Sequence, residues 1–334
     1  MIARRIFFRL VGALASSRTW RLGLLTSSSD SLSSSSVYDE LGVRPCINAA
    51  GAYTDLGGAL MPEEVLEAMH DASRRSVSIV ELQEAVGKRI ASMVGSQAAL
   101  VTAGCAASLS LATAACVAGS DPENIRRIPN TSGMKNEVIL QKTHRFEYDH
   151  AIRNVGVKLV EIETREELKA AITNQTAMLF FLNTADKRGK IHHEEFARLG
   201  NDFKIPTLID AAADLPPVEN LSLLTRIGYD LVAFSGGKSL RGPQCSGLLL
   251  GKKELIEAAF LNGPPHTDTL GRVSKVGKEE IVGLYRALDL FLRTDHANED
   301  ARQVRAPPLR RRAVRIRAAR RSLGAVHNRA DYGR

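Results

Sequence analysis

The sequence predicts an α/β protein built on a mainly parallel central sheet flanked by helices. Three observations carry that expectation. Between residues 98 and 251, short apolar runs bounded by glycine, proline or polar clusters alternate with stretches of helical period. One run, Pro206-Thr-Leu-Ile-Asp210, ends in a carboxylate, at the strand terminus where open α/β sheets bind ligands. No Gly-x-Gly-x-x-Gly follows any run, which disfavours a nicotinamide-dinucleotide site.

The chain has 334 residues, enough to bury a full core, with 45 basic and 37 acidic side chains. Five arginines and no acid fall in the first 29 residues, and eleven arginines with one acid follow residue 300. The stretch between holds 29 basic and 36 acidic residues, a net of −7. The folded body is therefore acidic, and charge-driven nucleic-acid binding is expected only of the tail. Residues 1–36 are rich in Arg and Ser and poor in acids, the composition of an organellar transit peptide or of a disordered extension. Their apolar stretch is broken by Arg9 and is too short to span a bilayer. The four cysteines lack paired spacing, which disfavours a secreted protein. The expected compartment is the cytoplasm, or the mitochondrial matrix if the leader is a genuine transit peptide.

Residues 37–75 read as a loop-rich arm in which Pro62 opens a helix, where its missing N–H costs nothing. Residues 76–262 read as the large domain. Apolar positions 79, 82, 86, 90 and 93 mark an amphipathic helix stopped by Gly95. A strand over 98–102 leads into a turn of Gly104, Cys105 and Ala106, then a small-residue helix to about residue 118. Such a turn leaves backbone N–H groups open to an anion, although close helix–sheet packing also favours small residues. Cys105 reads equally as a small buried side chain.

The strand over 137–141 runs into Lys142-Thr-His144-Arg145-Phe-Glu-Tyr148-Asp149-His150. His144, then Arg145, are the candidates to cover the face of an aromatic ligand; the six-residue spacing of His144 and His150 matches no zinc pattern. Residues 148–154 read as helix, 157–162 and 177–182 as strands around a helix at 165–172, and a further helix follows His192-His193 to residue 200.

The stretch 230–251 organises the chain. Two apolar runs, 231–234 and 248–250, enclose a loop of glycine, serine and proline with Lys238 at its tip. Gly237-Lys238-Ser239 resembles the end of a phosphate-binding P-loop, but position 232 is Val where that motif needs Gly. Two readings remain from the residues alone: an amine poised to attack a carbonyl, as in the Schiff-base lysines of pyridoxal phosphate (PLP) enzymes, or a solvated turn lysine. Asp210 suits the first, because PLP needs an acid beside its pyridine nitrogen, and also suits a helix cap.

Asp210-Ala-Ala-Ala-Asp-Leu-Pro-Pro217 and Ser235-Gly-Gly-Lys238-Ser-Leu-Arg241-Gly-Pro-Gln244 resemble the PLP enzymes related to selenocysteine synthase (L-seryl-tRNA(Sec) selenium transferase). Within that group the likeness is greater to the D-glucosaminate-6-phosphate ammonia-lyase branch. It covers about residues 37–292. The resemblance implies the aspartate-aminotransferase-like fold (fold type I) and a homo-oligomer with active sites at subunit interfaces. It also implies PLP held by Lys238 and Asp210, with Gly104, Cys105, Ala106 and Ser235 at the phosphate. Arg145, Arg241, Gln244, Arg272 and Lys275 become the candidate contacts to a small amino substrate. Residues 263–295 are expected to begin a small C-terminal domain, cut short by an Arg-rich, disordered tail over 296–334.

The expected activity is that of a PLP-dependent lyase or transferase acting by α,β-elimination or replacement on a β-hydroxy amino acid or amino-sugar acid. A selenium transferase and an inactive truncated homologue are the alternatives.

Overall fold

The computed structural model describes residues 36–296. Expectations about the leader and the Arg-rich tail, including nucleic-acid binding by the tail, lie outside the described residues. Two units meet in sequence at Asn48 and Ala49. The first carries one short helix, α1 (Val37–Glu40), started by a capping box between Ser36 and Asp39.

The second unit is built on a seven-stranded sheet. Its strands are β1 (Ala98–Thr102), β2 (Glu137–Gln141), β3 (Lys158–Ile162), β4 (Thr176–Leu182), β5 (Thr207–Asp210), β6 (Leu231–Ser235) and β7 (Gly247–Gly251). The order is β1-β7-β6-β5-β4-β2-β3. Strand β7 runs antiparallel to both β1 and β6, while the other pairings are parallel. The mainly parallel α/β expectation therefore holds. Strands buried on both faces read as continuous apolar runs, which is why the inner strands were visible in the sequence; the edge strand β3, with Lys158 and Glu161 exposed, was read from its shorter apolar pattern. Alternate residues feed two cores: Ile139, Phe181, Ile209 and Val232 one, Val138, Phe180, Leu208 and Leu231 the other.

Among the described residues ten α-helices follow α1: α2 (Glu63–Ser73), α3 (Ile79–Val94), α4 (Cys105–Ala118), α5 (Pro122–Arg127), α6 (His150–Arg153), α7 (Arg165–Ala171), α8 (His193–Phe203), α9 (Asn220–Ile227), α10 (Lys253–Leu261) and α11 (Lys278–Arg293). Helices α4, α5, α6 and α10 contribute to one core, and α3, α7, α8, α9 and α11 to the other. Four stretches differ from expectation. The six-residue α5, capped by Asp121, and the eight-residue α9 carry too little periodic pattern to be read. Residues 147–153 split into a 3-10 turn (Glu147–Asp149) and α6. Helix α8 continues through Gly200 to Phe203, because that glycine is a contact site rather than a stop. A Cβ at Gly200 would lie 2.1 Å from Thr207 Cγ2.

Strand β1 has an open side, and α3 covers it. Gln83 is 4% exposed. Its Nε2 donates to the Val101 carbonyl at 2.7 Å and its Oε1 accepts from the Val101 N–H at 3.3 Å, so one side chain satisfies both polar groups of an unpaired edge residue. Gly87, one turn on, lets the helix approach: a Cβ there would be 2.4 Å from the Ala99 carbonyl oxygen. Gln83→Ala should therefore lower stability by about 2 kcal/mol or more, since two buried backbone groups lose their partner. Urea unfolding of the cofactor-free protein measures this, and a loss below about 0.5 kcal/mol, the range of ordinary surface changes, would show that the edge is satisfied otherwise.

Candidate active site

The carboxyl ends of β4, β5 and β6 and the amino end of α4 converge on one cavity of about 300 Å³. Gly104 precedes α4 with φ +89°, a region that side chains rarely adopt, and no side chain caps the helix. The first N–H groups of α4 thus lack the usual N-cap partner and border the cavity with Gly104, Cys105 and Ala106. Strand β7 presses on the same turn: a Cβ at Gly247 would come within 2.4 Å of the Gly104 carbonyl carbon. Only glycine permits that approach.

Lys238 and Asp210 both line this cavity, together with Ser235. Asp210 ends β5 and is 6% exposed. Its Oδ1 accepts from the Ala212 N–H at 2.9 Å and lies 3.8 Å from Cys105 Sγ. Burial raises its pKa to about 6, against the opposing pull of the Ala212 N–H and the Lys238 charge. Burial and the Asp210 charge push the Cys105 thiol far above its ordinary range, so it stays protonated. Asp214, half-buried, is also raised by burial, although Asn183 and Lys238 oppose this. It does not cap a helix; Asn220 Nδ2 donates to its carbonyl at 2.7 Å.

The loop that carries Lys238 is tied to residues 54–60. Gly237 O accepts from the Ala59 N–H at 3.0 Å, Arg241 Nε donates to Leu60 O at 3.0 Å, and Gln244 Nε2 donates to Thr54 O at 3.0 Å. Gln244 also lines the cavity; Arg241 borders a neighbouring one, of about 600 Å³, that meets the first at Lys238. Both expected substrate contacts thus spend hydrogen bonds on holding a loop.

Other expectations need correction. His144 is fully buried and does not line the cavity. Its Nδ1 accepts from the Leu182 N–H at 3.2 Å and its ring meets Phe181 edge-on at 4.4 Å. Burial and the Arg188 charge lower its pKa to about 4, so it is neutral where it accepts. Arg145 is absent from the cavity too, held by Asp149 and Glu161. The aromatic wall is made instead by Phe146 and Tyr148, two residues the sequence reading passed over. Arg272, in a 3-10 turn over Leu270–Val273, and the exposed Lys275 do not line it either.

The fold is that of the PLP-dependent enzymes of fold type I, and the relatives of the chain are enzymes of that class. The model of the L-seryl-tRNA selenium transferase (SelA) family matches residues 46–330, and the chain belongs to that family. The match runs past residue 292, where the motif-based likeness ended. A 5'-C-glycyluridine monooxygenase-decarboxylase from Streptomyces sp. is 32% identical over 282 residues, covering 80% of this chain and 68% of the relative. A D-glucosaminate-6-phosphate ammonia lyase from Salmonella typhimurium is 31% identical, covering 76% and 70%. An L-seryl-tRNA(Sec) selenium transferase from Mannheimia succiniciproducens is 28% identical, covering 76% of this chain but 57% of its own length. Among solved structures, that of a D-glucosaminate-6-phosphate ammonia-lyase superposes with a TM-score of 0.72 at 30% identity, covering 78% of this chain and 71% of that one.

The raised pKa of Asp210 has a sign that can be checked. Its carboxyl holds a proton more tightly folded than unfolded, so the associated stability is full below about pH 4 and is lost as pH rises through about 6. Asp210→Asn should thus stabilise the cofactor-free protein by about 3 kcal/mol at pH 7.5 and leave it nearly unchanged near pH 4. Denaturant midpoints across that range test this; equal midpoints for variant and wild type at every pH would contradict it.

Proposed function

We propose that the protein is a PLP-dependent lyase or transferase working by α,β-elimination or replacement on a β-hydroxy amino acid or an amino-sugar acid. One observation carries the reading: an amine, a buried carboxylate and an uncapped helix N-terminus line a single cavity. These answer the cofactor's aldehyde, ring nitrogen and phosphate respectively. Lys238 would hold PLP covalently, and Asp210 would keep a proton on the ring nitrogen. The first N–H groups of α4, with the Ser235 hydroxyl, would take the phosphate. Phe146 would cover a ring face in place of His144.

When bound, PLP supplies an electron sink for the charge left on the substrate's α-carbon as its proton departs. Lys238 would be the cavity's base for that proton and would return it to a departing β-hydroxyl, which leaves as water. Asp210 suits its part because a pyridinium would add an opposite charge beside a buried carboxylate that the Ala212 N–H and Lys238 relieve only in part. The neighbouring cavity beside Lys238, with Arg241 on its wall, gives room for a substrate longer than serine. Exposed apolar side chains at Leu60 and Tyr53 support a homo-oligomer that covers this rim.

Membership of the selenium transferase family favours a second reading in which seryl-tRNA enters the same cavity. Rapid conversion of seryl-tRNA with no action on small amino acids would establish it in place of the first.

The purified protein mixed with PLP should show an absorption band near the visible edge that borohydride bleaches. Lys238→Ala should lack that band and lose activity by about 10²-fold or more, as expected for loss of a positioned base. A band of equal strength in the variant would sink the assignment.

A further inference from the structure

Phe146 and Tyr148 form a wall of the cavity although they belong to a stretch of short turns, and something must fix them there. Phe146 is extended (φ −158°, ψ 170°), its ring parallel to that of the buried Phe180 at 5.9 Å and 6.0 Å from that of Tyr148. Upstream, His144 is pinned beneath β4 through Leu182. Downstream, Asp149 is 3% exposed while its neighbours are open to solvent.

Both carboxylate oxygens of Asp149 are taken by arginines. Arg145 Nε donates to Oδ2 at 2.5 Å and Arg153 Nε to Oδ1 at 2.9 Å. Arg145 also pairs with Glu161 on β3. Burial would raise the pKa of Asp149, but the hydrogen bonds from Arg145 and Arg153 outweigh it and hold the carboxyl below its ordinary value. A buried carboxylate left unpaired is costly, so this cluster differs from a surface ion pair of little worth. The residues bracketed by the Arg145–Asp149 bond are Phe146, Glu147 and Tyr148. Helix α6, just beyond, is tied to α4 by Ser110 Oγ donating to Ala151 O at 2.7 Å.

We propose that Asp149, clasped by Arg145 and Arg153, is the positioning residue for the aromatic wall of the cofactor cavity. Arg145 therefore serves the site without touching substrate: it closes a five-residue loop whose two aromatic side chains face the cavity. The cost of ordering that loop is met before the ligand arrives, which favours tight and slow-leaving binding. The proposal rests on the reading of the cavity as a PLP site for its ligand, but not for the clasp itself.

The test uses the full chain with Arg145→Met, which removes the donors from a side chain that is 38% exposed and so spares the core. Arg145→Lys, which keeps the charge without the fork, is the conservative partner. Three quantities are read: the PLP dissociation constant by absorbance titration, hydrogen exchange of residues 146–149 in cofactor-free protein, and the urea midpoint. Arg145→Met should weaken PLP binding about tenfold, the size expected for loss of a charged hydrogen bond. It should also speed exchange at 146–149 selectively, with Arg145→Lys recovering part of both effects. Unchanged exchange at 146–149 would overturn the clasp, as would faster exchange spread evenly over the chain with a lowered urea midpoint. Failure of wild type to bind PLP would instead count against the proposed function, while the exchange measurement would still decide the clasp.

Discussion

A carboxylate buried at the end of β5, facing a lysine on the loop after β6, is the constraint on which the site depends. Asp210 is held in a place that raises its pKa to about 6. A fold selected for stability alone would place an apolar residue there. The carboxylate persists with only partial relief, from the Ala212 N–H and the charge of Lys238. A ligand carrying a protonated ring nitrogen removes that strain, and the energy released becomes binding energy. The sheet order supplies the geometry, because β5 and β6 are adjacent and parallel, so their carboxyl ends open on the same side.

Around this pair the protein invests in backbone closeness. Gly237 and Gly247 stand where a side chain would collide with neighbouring main chain: a Cβ at Gly237 would be 2.5 Å from Gln244 Cα, while Gly104 has open space but a left-handed φ of +89°. Residues 54–60 then lie against the lysine loop through three hydrogen bonds to Gly237, Arg241 and Gln244. The Lys238 loop is thus braced by a segment about 180 residues away in sequence, as the role proposed for Lys238 would require.

What the sequence made legible follows from the range of each interaction. The strands were readable because each rests on a local pattern, a continuous apolar run for the inner ones and a half-buried one for the edge strand β3, and Lys238 because its glycines and flanking strands are adjacent to it. Asp210 was readable from its place at the end of such a run. The partners of Arg241 and Gln244 are carbonyls far away in the chain, so an exposed-looking Arg and Gln read as substrate contacts. His144 was misplaced for a local reason. A 3-10 turn over Lys142–His144 rolls that ring under β4, and the extended Phe146 takes the wall. Nothing in the residue order separates the two, and histidine was the more chemically suggestive side chain. Gln83 gave little signal, since a polar residue on a helix is ordinarily solvated. The one usable hint was its place on the same face as Val86 and Ile90.

The family, the fold and the convergence of Lys238, Asp210 and the α4 N-terminus all bear on one claim, that a covalent bond forms between PLP and Lys238. Borohydride reduction of the protein with PLP, followed by proteolysis and mass mapping of the pyridoxyl adduct, tests it most directly. The account predicts one modified peptide, containing Lys238, with modification lost when excess substrate amine is present. An adduct confined to another lysine, or spread over surface lysines without preference, would contradict it.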